Sequence, residues 1–111
     1  MSVRLINMEV FGKLTKAMGP EFVIDLVTEF LGEAPDQIES LRMAAIEGNS
    51  EAYAEAASSI GSKARVFGAT VLVHVARDIE LAGLAEPAAY LPELETAFAD
   101  TAEVLQLLVK R

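Results

Sequence analysis

The 111-residue chain contains no cysteine. Disulfides and thiolate metal sites are therefore excluded, and a reducing compartment fits the composition. Histidine occurs once, at position 74. Metal sites in helical bundles rest on Glu-x-x-His pairs from facing helices, and no such pair occurs, so no metal site is expected. A glycine-rich phosphate loop is also missing, and no cofactor is called for. No stretch reaches the ~18–20 apolar residues of a membrane span. Met1 to Asn7 hold neither a long apolar run nor a small-residue cleavage site, so no signal peptide is expected and the cytoplasm is the expected location. Period-two strand patterns, repeats and low-complexity tracts do not stand out.

What remains is an apolar, acidic chain that reads as helix nearly throughout. Hydrophobic residues make up 52% of it, too many for a disordered segment. The length suits one domain spanning residues 1–111 with a single core. The formal charge of −8 repels phosphate backbones and anionic lipid, which argues against nucleic acid or membrane as partners. Such a charge keeps a protein soluble, and it can also steer association with a basic protein surface.

Glycine and proline divide the helical pattern. A first helix is expected from an Asn7 cap to Met18, with Phe11, Leu14 and Met18 on one face, ended by Gly19-Pro20. A second spans about Glu21 to Glu47 with the apolar stripe Phe22, Leu26, Phe30, Ile38, Leu41 and Ala45. Pro35 should kink or divide it. Gly48-Asn49-Ser50 stops that helix and caps the next. The third, about Glu51 to Val66, turns Tyr53, Ala56, Ala57, Ile60 and Ala64 inward, and Glu51, Ala54, Glu55, Ser58, Ser62 and Arg65 outward. The fourth runs from near Gly68 to near Gly83 with Leu72, Val75, Ala76 and Ile79 inward. The fifth starts between Pro87 and Pro92, with Leu94, Phe98, Leu105 and Leu108 inward. Met8, Met18 and Met43 read as core filler, and Glu93 and Glu95 as residues of solvated faces. Short connections make neighbours antiparallel, so the expected fold is all-α: an up-down-up-down four-helix bundle with a short extra N-terminal helix. Phe30, Leu41, Ile60, Leu72, Ile79 and Phe98 should be among its least exposed residues.

The stretch Ala57-Ser58-Ser59-Ile60-Gly61-Ser62-Lys63-Ala64-Arg65-Val66-Phe67-Gly68-Ala69 resembles the signature of histidine-containing phosphotransfer (HPt) domains, Ala-His-x-Leu-Lys-Gly-Ser-Ala-x-x-Phe-Gly-Ala. Ala57, Ile60, Ala64, Phe67, Gly68 and Ala69 match in type and spacing. Leu72, Ala76 and Ile79-Glu80 downstream are similar to the family, as are Phe30-Leu31, Ala34-Pro35, Leu41, Ala44 and Gly48-Asn49 upstream. The resemblance covers roughly Pro20 to Gly83. It departs at its centre. Ser58 takes the phosphohistidine position, Gly61 stands for the lysine three residues on, and Ser62 for the glycine after it. Sliding the register by one residue brings Ala57 or Ser59 to that position, so no register places a histidine there.

The resemblance implies a phosphorelay, in which a nucleophile takes phosphate from an aspartyl acyl phosphate. Neutral imidazole is nucleophilic near pH 7, whereas a serine hydroxyl needs an adjacent general base. Glu55, three residues before Ser58, is the nearest carboxylate, and an exposed carboxylate is a feeble base. His74 projects from the outer face of the fourth helix with Thr70, Arg77 and Asp78. It reads as a surface histidine paired with Asp78, the alternative being a relocated phosphoacceptor. The expected function is a non-phosphorylatable HPt-like module, monomeric, that binds a response-regulator receiver domain or a histidine kinase and has no catalytic residue or enzyme activity of its own. Its docking face is Glu55, Ser58, Gly61, Ser62 and Arg65. The alternatives are an active phosphotransfer protein using His74, or a helical scaffold outside phosphorelay.

Overall fold

The computed structural model describes residues 5–85 and 87–110; Met1 to Arg4, part of the segment read for a signal peptide, lie outside them. Among the described residues five α-helices follow one another: α1 Met8–Met18, α2 Pro20–Glu47, α3 Ser50–Val66, α4 Thr70–Ala82 and α5 Pro87–Val109. A single 3₁₀ turn, Gly83–Ala85, precedes α5. Among the described residues there is no strand, and no helix is long and apolar enough to cross a membrane.

The helix ends follow from capping chemistry. The Asn7 side chain accepts the backbone N–H groups of Glu9 at 3.0 Å and Val10 at 3.3 Å. Asn49 accepts the Ala52 N–H at 3.0 Å. Both satisfy first-turn donors that have no partner within the helix. Gly48 closes α2 in the left-handed region, φ 69°, a conformation open to glycine at little cost. α2 runs unbroken through Pro35, which lies on its exposed side, so the proline does not divide the helix. α5 starts at Pro87 and carries Pro92 inside its first turns.

α2, α3, α4 and α5 form the antiparallel bundle: α3 packs on α2 and α4, and α5 closes the ring against α4 and α2. α1 lies across α2 and α3. The inward faces of α3 (Tyr53, Ala56, Ala57, Ile60, Ala64) and α4 (Leu72, Val75, Ala76, Ile79) are buried as the 3.6-residue period predicts. At the centre, the Phe30 ring stands 5.3 Å from that of Phe67 and 6.1 Å, edge-on, from that of Phe98. Arg42 on α2 bridges Glu39 and Glu95, tying α5 to α2 at the surface.

The α2 stripe differs from the pattern read in the sequence. The buried positions are Val23, Val27, Phe30, Ala34, Ile38, Leu41 and Ala44. Phe22 is 46% exposed, and Leu26 and Ala45 are half-buried. Successive steps of four drift about 40° each against the helical period, so tracing Phe30 back through Leu26 to Phe22 leaves the core face. Met8, Met18 and Met43 are all exposed and fill no core. α1 presses only its Phe11 side on the bundle, and Met43 points away from its buried neighbour Ala44. Phe98 and Leu108 are half-buried rather than enclosed, because α5 turns Leu94, Ala97, Thr101 and Leu105 fully inward instead.

Candidate functional site

The outward face of α3 carries Ser58, Gly61, Ser62 and Arg65, spaced by three and four residues and so aligned along the helix. Its depth comes from α4. A Cβ placed on Gly61 would meet the Ala76 Cβ at 3.5 Å, so the two helices approach closely where both side chains are small. Next to this contact lies an open groove of about 250 Å³, lined on one side by Ala57, Ser58, Gly61, Ser62 and Arg65, and on the other by Val73, Ala76, Arg77 and Glu80.

Four of the five residues expected at the docking face meet here. Glu55 is exposed one turn N-terminal to Ser58 but does not line the groove. The second wall is not legible in the sequence, whose pattern sets Arg77 with His74 on an outer face and Glu80 in a family pair. The periodicity of α4 does put Arg77 and Glu80 one turn apart beside inward-facing Ala76, but pairing that edge with the Ser58 face requires the helix packing.

The groove is polar and cationic at two points, Arg65 and Arg77. Among the described residues the Ser58 hydroxyl has no hydrogen-bond partner, and neither Glu55 nor Glu80 is placed to accept its proton. Lys63, two residues beyond the signature's lysine position, turns to α2, where its ammonium donates to Glu33 at 2.8 Å. That hydrogen bond, with the charge of Lys63, lowers the Glu33 carboxyl below the ordinary glutamate range. His74 is exposed on α4 and does not line the groove. The ion pair expected between it and Asp78 is not formed. No group of His, Asp and Glu among the described residues is arranged to hold a metal.

The loop joining α3 to α4 is pinned against α1. The Gly68 carbonyl accepts the Asn7 backbone N–H at 2.7 Å. With φ 70°, Gly68 leaves only 2.9 Å between an added Cβ and both the Asn7 oxygen and the Val10 Cβ. The Phe67-Gly68-Ala69 element thus has a structural cause: it sets the turn that brings α4 back along α3.

The bundle of α2 to α5 thus presents a groove, between α3 and α4, along the motif helix. The family model of the Hpt domain matches residues 25–108, and the chain belongs to that family. Its members act as phosphotransfer modules and interact with receiver domains and histidine kinases in two-component systems. In fold, the chain is similar to the crystal structure of histidine-containing phosphotransfer protein B (HptB) from Pseudomonas aeruginosa PAO1, with a TM-score of 0.89 and 20% identity over 99% of this chain and 98% of that one. No curated protein matches the chain significantly.

Proposed function

We propose that this chain, as a single monomeric cytoplasmic domain over residues 1–111, is an Hpt-family docking module that binds a receiver or kinase domain and does not itself accept phosphate. The observation that carries this reading is Ser58. It lines the α3–α4 groove with no general base beside its hydroxyl and no histidine anywhere on α3, and the resemblance to the HPt signature aligns it with the phosphohistidine. The docking face is Glu55, Ser58, Gly61, Ser62 and Arg65, extended by the α4 wall. Its small residues leave room for a partner's side chains.

Two measurements test the reading together. Phosphorylated receivers and kinases of the source organism should leave no acid-labile label on the wild-type chain. A label that disappears in His74→Ala would overturn the proposal in favour of a relocated acceptor. In pull-downs against the same domains, Ser58→Arg or Ser62→Arg should abolish capture while circular dichroism stays unchanged, since both positions face water. Undiminished capture by both variants would place the docking face elsewhere.

A further inference from the structure

Three of the cations among the described residues are committed to carboxylates: Lys13 to Glu9, Arg42 to Glu39 and Glu95, and Lys63 to Glu33. Arg65 and Arg77 are not, although the chain carries 17 acidic residues against nine basic ones. Both line the same groove, one from each wall, over a floor of small side chains. Glu80 sits one turn from Arg77 on α4, close enough in sequence to pair with it, yet no such pair forms. On a strongly acidic surface, two uncommitted guanidinium groups facing one polar groove make a local site for an anion.

We infer that this groove senses the phosphorylation state of its partner: Arg65 and Arg77 bind the phosphoryl group of a receiver's aspartyl phosphate, which is held and not taken. This rests on the proposed docking function. A phosphoryl group carries about −1.5 to −2 charges and three acceptor oxygens, and guanidinium forks match it bidentately. The hydroxyls of Ser58 and Ser62 lie beside it as neutral donors. No bond forms or breaks, because the Ser58 hydroxyl keeps its proton. An unphosphorylated aspartate offers one charge and two oxygens, so the two arginines favour the phosphorylated form. Glu80 opposes the anion by like charge and limits that preference.

The test uses the full chain and the receiver domains of the source organism, each with and without beryllofluoride, a phosphoryl mimic, at fixed magnesium. Binding is measured by interferometry and read as the ratio of the two affinities, whatever a substitution does to docking itself. The mimic should tighten binding of a cognate receiver roughly tenfold. Arg65→Gln and Arg77→Gln should each bring the ratio close to one, and Glu80→Gln should raise it. A receiver that binds equally in both forms, or whose preference survives both arginine substitutions, overturns the inference and leaves the docking function standing. Failure of every receiver and kinase domain to bind in either form overturns both.

Discussion

Placing a histidine at position 58 is the most direct probe of the proposed reading, through Ser58→His combined with Gly61→Lys and Ser62→Gly. The three positions lie on one face of α3 at the groove. Ser58 and Ser62 are exposed, so an imidazole at 58 projects into water and a glycine at 62 leaves the approach open. Gly61 is the tight point, and there a new Cβ would make ordinary van der Waals contact with Ala76 at 3.5 Å. The first carbon of the lysine side chain is therefore accommodated at the α3–α4 contact. Its ammonium joins Arg65 and Arg77, with Glu80 available to offset the added charge. Replacing a helix-interior glycine by lysine gains roughly 0.5–1 kcal/mol, and replacing serine by glycine loses about 0.5 kcal/mol. Serine to histidine is close to neutral on the same scale. The sum lies within about 1 kcal/mol of zero, so the melting temperature should move by no more than about 4 °C. The assay is phosphate transfer from a phosphorylated receiver that binds the wild type, followed by acid treatment. Acid-labile labelling of the triple variant and none of the wild type is expected. A folded triple variant that binds such a receiver and stays unlabelled would refute the claim that position 58 occupies the acceptor geometry.

Gly68→Ala should destabilise the protein by about 2–4 kcal/mol, because it forces a side chain into the left-handed region and against backbone 2.9 Å away. A denaturant midpoint within error of wild type would show that the loop is not pinned on α1. Tyr53 is fully buried on α3 with its hydroxyl unpartnered, so Tyr53→Phe should stabilise by about 1 kcal/mol, and a loss in urea unfolding would reveal a hidden partner for that hydroxyl. Burial also raises the Tyr53 pKa above the ordinary tyrosine value. The folded state thus retains a proton that the unfolded chain releases, and the associated stability, full below the unfolded pKa of about 10, falls as pH rises beyond it. Wild type should lose more stability than Tyr53→Phe between pH 9 and 11 in thermal melts.

The sequence by itself determined the class of fold, most helix boundaries and the absence of histidine from α3. Asn7, Gly48 and Asn49 act through local hydrogen bonds and dihedral preferences that need no neighbour to be read. The buried faces of α3 and α4 were legible because each is a short, clean stripe in phase with the helical period, and the lack of histidine on α3 is a matter of composition. Tertiary structure alone decided three things. Over the 28 residues of α2 the period admits two stripes, and only packing against α3 and α5 shows that Val23 and Val27 go inward while Phe22 stays at the surface. Thr101 is enclosed because α5 must present Leu94, Ala97 and Leu105 to the bundle, a constraint that overrides its polarity. The groove itself depends on which edge of α4 lies against Ser58. The Gly61–Ala76 approach sets that register, and it is a contact between helices that periodicity within one helix cannot specify.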